Sequence, residues 1–194
     1  MGPRILLTRH GQTAWNALGR LQGHTNIELD DIGREQARAL GTKLAGERVR
    51  AVWASDLSRA RQTAEIVAGA LGIVNVHTEP LLRERQFGVF EGLTRDQCAS
   101  QYPDAWAQWL SLTAAPPGGE SRESAVARMK DALTNIFDSL EHDAGVAVAI
   151  SHGGVMRLWL SEVLAGPVPL VANGAICVVE RDSRGFHATA PSDR

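Results

Sequence analysis

Four short stretches of the chain carry residue types that can do chemistry together. Arg9-His10-Gly11 ends one apolar run. Ser55-Asp56, with Arg59 one turn on, follows a second. Leu82-Arg83-Glu84-Arg85 lies past a third, and Ser151-His152-Gly153-Gly154 closes a fourth. Two imidazoles, several guanidinium groups and a carboxylate suit phosphoryl transfer. Guanidinium groups match phosphate oxygens in a planar fork and keep their charge. Backbone N–H groups at glycines and helix starts add anion-binding donors. A neutral imidazole can attack phosphorus and carry a covalent phosphoryl group. A carboxylic acid can protonate the leaving oxygen, and a second imidazole can stabilise charge on the equatorial oxygens. This set of residues calls for no metal and no other cofactor.

Those residues need a scaffold. Arg4–Arg9 reads as a short buried strand. Asp30 or Asp31 can cap a helix with Ala37, Leu40 and Leu44 on one face. Ala51–Ala54 is a second strand, followed by a helix with Leu57, Ala60, Ala64, Val67 and Leu71 on one face. Val74–His77 is a third strand. Glu120 to about Glu141 forms the longest helix, with Val126, Met129, Leu133, Ile136 and Leu140 at helical spacing. Val146–Ser151 is an unbroken apolar strand of the kind buried on both faces. A helix over Gly153–Leu164 and a late strand over Ala175–Glu180 follow. This alternation predicts an α/β layered fold with a largely parallel sheet. In such sheets, sites form beyond the carboxyl ends of the strands, where all four stretches lie. No linker separates two domains, so residues 1–194 are expected to form one. Residues 102–119, rich in proline and glycine, form a variable lid segment; residues 182–194 form a polar tail, of which the last few residues fray.

The 20 basic and 22 acidic side chains leave a net charge of −2, so no broad field favours nucleic acid or a membrane surface. Cys98 and Cys177 stand far apart in no metal-like spacing and read as reduced thiols. The N-terminal run Ile5-Leu6-Leu7 is no signal peptide, and the uncharged run Val163–Val179 is broken by Pro167 and Pro169. A cytoplasmic location is expected.

The stretch Leu6–Asn16 resembles the signature of the histidine phosphatase superfamily, the phosphoglycerate mutase-like family. Further similar blocks run in the family's order: Leu21–Gly23 through Ile32–Ala37, Ser55–Ala64, Leu82–Gly92, Pro117–Ser121 and Ser151–Val155. The resemblance covers about Ile5 to Val179. It implies a three-layer α/β/α sandwich with a mostly parallel central sheet. It implies His10 as the phosphorylated nucleophile, Arg9, Arg59 and His152 as the phosphate pocket, and Glu84 as general acid and then base. Asn16, Gln22, Gly23 and Gly153 resemble secondary phosphate or substrate contacts. A small-molecule phosphate ester is the implied partner, and a homodimer is compatible with the family.

Each assignment has a plainer counterpart. A histidine at a strand end is commonly a hydrogen-bonded structural residue. Arg61 lies near Arg59, Glu91 near Glu84, and Asn16 could simply cap a turn. Trp106 and Trp109, three apart on a short helix, read as packing of the lid. His24, His77, His142 and His187 fall in no matching catalytic position. Gln12 stands where much of the family carries an acidic residue. Three activities share such a site: a metal-independent phosphatase acting on a small metabolite through phosphohistidine, a cofactor-dependent phosphoglycerate mutase, and a non-catalytic module that binds phosphorylated ligands. The mutases carry a longer insertion after the acid block, whereas roughly two dozen residues separate Gly92 from Pro117 here. A more open site admits water, which favours hydrolysis. The presence of every catalytic residue type weighs against the binding module.

Overall fold

A computed structural model describes residues 2–111, 113–140 and 145–192. Its strands are β1 (Arg4–Arg9), β2 (Val49–Ala54), β3 (Val76–Thr78), β4 (Val146–Ser151), β5 (Ile176–Asp182) and β6 (Gly185–Ala188). Its helices are α1 (Ala14–Ala17), α2 (Asp31–Leu44), α3 (Ser58–Leu71), α4 (Arg95–Gln101), α5 (Pro103–Leu110), α6 (Arg122–Ser139) and α7 (Gly153–Val163). Among the described residues the strands join in one sheet of order β3-β2-β4-β1-β5-β6. The pairs β2–β3, β2–β4 and β1–β4 are parallel, while β1–β5 and β5–β6 are antiparallel. The sheet is mostly parallel with one reversed strand near its edge.

Side-chain alternation sorts the sheet into two cores. Ile5, Leu7, Ala147, Ala149, Cys177 and Val179 face one side and pack with Met129, Leu133 and Ile136 of α6 and with Met156 and Trp159 of α7. Leu6, Val148, Ile150 and Val52 face the other side and pack with Leu40 and Leu44 of α2 and with Ala60, Ala64 and Val67 of α3. Helices therefore cover both faces of the sheet, which makes the expected three layers. Each fully buried Leu, Ile, Met or Phe stabilises the fold by roughly 1.5–3 kcal/mol. The central position of β1 and β4 suits their apolar interiors; the one polar side chain inside them, Thr8, is buried with its hydroxyl donating to the Ala175 carbonyl at 3.1 Å. A third cluster of Phe87, Phe90, Cys98 and Trp106 joins α4 and α5 outside the sheet.

Helix starts follow local chemistry. Asp30 caps α2, its side chain accepting the Gly33 N–H at 2.7 Å. Ser121 caps α6, and Pro103 opens α5, where its missing N–H costs nothing. Two segments differ from expectation. The late strand runs past Glu180 and is followed by a strand the sequence reading did not include: β5 continues to Asp182, the Asp182 carboxylate accepts the Arg184 N–H at 2.7 Å, and β6 returns along β5. Phe186 supplies the apolar contact, with ring centroids 5.8 Å from Trp159 and 5.9 Å from Phe137. Ser192 also pairs with Ile176, and residues 193–194 lie outside the described residues. The third strand starts at Val76 rather than Val74, which is 93% exposed.

The loop after β1 lies against the first turn of α2. A Cβ on Gly33 would stand 2.0 Å from the Gln12 carbonyl oxygen. Alanine ordinarily gains about 1 kcal/mol over glycine inside a helix. Here crowding of ~1–3 kcal/mol opposes that gain. The expected result is that Gly33→Ala lowers the urea midpoint; a rise would show that this loop can move aside.

Candidate active site

The carboxyl ends of β1 and β4 finish level, with Arg9 paired to Ser151. The His10 N–H donates to the Ser151 carbonyl at 3.0 Å. His10 and His152 are thereby brought together, with ring centroids 5.0 Å apart. A cavity of about 770 Å³ opens at this edge and is lined by Arg9, His10, Asn16, Gln22, Arg59, Glu84 and Gly153, among others. Seven of the nine expected residues share that wall. His152, fully buried, lies behind it. Gly23 also lies outside the lining, where its carbonyl accepts from Arg59 instead.

His10 is held from three sides. The Asn173 amide donates to its carbonyl at 2.8 Å, and the Gly11 N–H donates to Thr63 Oγ1 at 3.1 Å. Its Nδ1 lies 2.6 Å from the Gly11 carbonyl oxygen. A carbonyl only accepts, so Nδ1 carries the proton and Nε2 keeps its lone pair. Burial pushes the imidazole well below its ordinary pKa of 6.5, and the Arg59 and Arg9 charges add to this. The ring is therefore neutral at pH 7.

Arg59 lies at the centre and is 0% exposed. Its Nε–H donates to His152 Nδ1 at 3.1 Å, Nη1 to the Thr25 carbonyl at 2.9 Å and Nη2 to the Gly23 carbonyl at 2.8 Å. Burial lowers its pKa to about 10, opposed by the Glu84 and Glu91 carboxylates, so the group stays charged. A guanidinium always donates, which makes His152 Nδ1 an acceptor and places the His152 proton on Nε2. Burial and Arg59 likewise drive the His152 pKa well below 6.5. His152 Nε2 and Arg9 Nε are both buried without a hydrogen-bond partner. Two N–H donors left open beside a neutral imidazole form a receptor for an anion. The Gln22 Oε1 is also buried and unpartnered.

Glu84 reaches the cavity from the turn after β3. Its Oε1 accepts the Arg85 N–H at 2.8 Å and the Val155 N–H at 2.7 Å, and its Oε2 accepts the Gly154 N–H at 2.9 Å. A Cβ on Gly154 would stand 2.6 Å from Glu84 Oε1, so the first turn of α7 admits this carboxylate only with glycine there. Arg128 pins the same turn by donating to the Leu81 and Arg83 carbonyls at 2.7 and 2.8 Å. Ser151 Oγ donates to the Leu82 carbonyl at 2.8 Å.

The nearby alternatives do other work. Arg61 pairs with Glu65 at 3.1 Å on an exposed face. Glu91 accepts the His24 and Thr25 N–H groups at 3.0 Å, and the Thr25 hydroxyl at 2.7 Å, which clamps the loop that holds Arg59. The Asp56 carboxylate is held below its usual range by Arg83. His77 stacks on Trp53, His187 pairs with Asp182 at 3.0 Å, and His142 lies outside the described residues. Gln12 turns away, its amide donating to Asp30 at 3.2 Å, so it ties the loop to the cap of α2. Asn16 caps α1 by accepting the Thr13 N–H through Oδ1 at 3.1 Å, and also lines the cavity. Trp106 is buried in packing, while Trp109 lines the cavity. Sequence reasoning missed Thr63 and Asn173. Thr63 sits one helical turn after Arg59, a usable signal; Asn173 had none. Among the described residues no group of three or more His, Cys, Asp or Glu is placed to hold a metal, and no helix is long and apolar enough to cross a membrane.

Comparisons with known proteins place the chain among relatives of one family. A family profile described as the histidine phosphatase superfamily (branch 1) matches residues 5–194. A metal-independent phosphoserine phosphatase of Arabidopsis thaliana is 36% identical over 186 residues, covering 93% of this chain and 77% of that protein. A glucosyl-3-phosphoglycerate phosphatase of Mycobacterium tuberculosis is 34% identical over 172 residues, covering 85% and 77%. The solved structure of Bacillus stearothermophilus YhfR superposes with a TM-score of 0.87 at 29% identity, covering 97% of this chain and 96% of that one.

The two depressed imidazoles set a pH dependence. In the unfolded chain each takes up a proton near pH 6.5, while in the native state each stays neutral to much lower pH. The unfolded state thus binds more protons below pH 6.5, and stability falls with pH by up to about 1.4 kcal/mol per unit for each group. Urea unfolding at pH 7 and 5.5 should show this loss, and the double variant His10→Gln, His152→Gln should lose less. An equal loss in both chains would show that these histidines are not buried neutral.

Proposed function

The chain belongs to the histidine phosphatase superfamily, branch 1, and from that premise we propose that it is a phosphoric monoester hydrolase that cleaves a small phosphorylated metabolite without a metal. The observation that carries this reading is the neutral His10, its Nε2 lone pair free at the cavity beside the unpartnered N–H donors of Arg9 and His152. The phosphatase names of the two curated relatives support hydrolysis, and one of them is called metal-independent. The buried, unpaired Cys98 and Cys177 suit a reducing compartment such as the cytoplasm.

In the proposed cycle, the phosphoryl group enters with its oxygens toward Arg9, Arg59, His152 and the Gly153 N–H at the start of α7. Asn16 and Gln22 complete the contact. His10 Nε2 attacks phosphorus; the N–P bond forms as the ester P–O bond breaks. The leaving oxygen takes a proton from the Glu84 carboxyl group. Glu84, now a carboxylate, accepts a proton from water. The water oxygen attacks phosphorus, the N–P bond breaks, and phosphate leaves with His10 neutral again. The guanidinium charges and imidazole N–H stabilise the equatorial oxygens in both steps.

The test is phosphate release from a panel of phosphomonoesters with excess chelator present. Release should persist with chelator and vanish in His10→Ala; release that needs an added divalent ion would overturn the metal-independent reading. Glu84→Ala should slow alkyl phosphates at least tenfold more than p-nitrophenyl phosphate, since nitrophenolate leaves without a proton. Equal losses on both would remove Glu84 as the acid.

A further inference from the structure

Glu84 gives up a proton in the first proposed step and takes one in the second, and the bonds of its carboxyl group change with it. Its two oxygens accept the N–H groups of Arg85, Gly154 and Val155. A carboxyl oxygen that carries a proton accepts less well, and one that donates to a leaving oxygen must turn toward it. Side-chain anchors are therefore weakest at the moment of proton transfer. An anchor on the Glu84 main chain is the same in both proton states.

Two side chains hold the Glu84 carbonyl. His24 Nε2 lies 2.8 Å from its oxygen, and Arg128 Nη2 donates to it at 3.3 Å. A carbonyl only accepts, so the His24 proton sits on Nε2. Arg128 comes from α6 and spreads its N–H groups over the carbonyls of Leu81, Arg83 and Glu84. His24 comes from the loop between α1 and α2. Its neighbours Gly23 and Thr25 supply the carbonyls that accept from Arg59 at 2.8 and 2.9 Å, and its own N–H donates to Glu91 at 3.0 Å. The loop is thus tied to the phosphate pocket, and the imidazole carries that tie across to the acid. Arg83 also ties this turn, its Nε donating to Asp56 Oδ1 at 2.7 Å, but that pair is partly exposed, and exposed ion pairs hold weakly. The His24 ring is half-buried and is not part of the cavity lining, so it acts through what it holds.

We propose that His24 is a positioning residue for the acid: its ring fixes the Glu84 main chain relative to the phosphate pocket built on Arg59. The proposal rests on the reading of Glu84 as the proton donor. Loss of the ring removes no group that binds phosphate, but it lets the acid drift from the leaving oxygen. A misplacement of about 1 Å costs on the order of 10²-fold in the step that needs the group. A leaving group that departs without a proton is spared that cost.

The test compares kcat/KM for p-nitrophenyl phosphate with that for the alkyl phosphate the unaltered chain cleaves fastest; this constant reports the steps up to release of the alcohol. His24→Ala removes the ring and keeps the N–H to Glu91. It should lower kcat/KM for the alkyl ester at least about tenfold more than for the nitrophenyl ester. His24→Leu fills the space without a donor and should show the same split, so that the effect reads the hydrogen bond and not the packing. His24→Gln returns an N–H donor near the Nε2 position and should recover most of the split. In a Glu84→Ala background, His24→Ala should add no further split, because its effect passes through Glu84. Equal losses on the two esters in His24→Ala and His24→Leu, a full split in His24→Gln, or a further split in the double variant overturns the positioning role. A split in Glu84→Ala beside none in the His24 variants removes His24 alone. Equal losses in Glu84→Ala itself sink the acid reading and the role of His24 with it.

Discussion

The arrangement depends on one buried cation, Arg59. It is removed from water entirely, and its desolvation is offset by two loop carbonyls and an imidazole nitrogen. Hydrogen bonds to a charged group contribute about 1.5–3 kcal/mol each, which makes these three strong enough to organise their surroundings. They orient the loop from Gly23 to Thr25, fix the tautomer of His152, and help keep both histidines unprotonated. A carboxylate in direct contact would have satisfied Arg59 more fully. It would also have repelled a phosphate, and the cation is left to neutral acceptors instead.

The surrounding structure serves that centre through the backbone. The Glu91 carboxylate gathers N–H groups from two loops and so holds the carbonyls that Arg59 needs. Thr63, one turn along α3, accepts the Gly11 N–H and donates its hydroxyl proton to the Arg59 carbonyl at 2.7 Å, coupling the helix to the loop of His10. Glu84, the one carboxylate in the cavity lining, is anchored by backbone N–H groups of α7 and of its own turn. Arg128 and Ser151 fix that turn from the other side. These anchors leave Glu84 little freedom, which suits the proton-carrying role proposed for it.

Beyond the inner pocket, the cluster around Phe87, Phe90 and Trp106 gives the cavity an apolar wall without contributing to the sheet. This cluster is separate from the two cores that pack on the sheet. Trp109 belongs to both worlds, packing on Trp106 and presenting its face to Arg85. The charged fork of Arg85 is thus held in place by a helix that the sheet does not require.

How much of this was legible beforehand follows from distance along the chain. The sequence by itself determined the strands and helices of the layered core, because period-2 and period-3.6 patterns are written by near neighbours. It also determined which residue types gather at the strand ends, since a strand that stops at Arg9-His10 or Ser151-His152 delivers those side chains to one edge. Only the tertiary structure decided what each does there. The Arg59–His152 bond joins residues 93 apart, and Asn173 reaches His10 across 163. No local pattern encodes such pairs, so the tautomers of both histidines, the inward carbonyl of Gly23 and the outward turn of Gln12 were beyond sequence reading. Strand β6 was missed for the same reason. This four-residue edge strand is held by Phe186, against Trp159 and Phe137, and by Ala188, contacts that exist only after the core has formed.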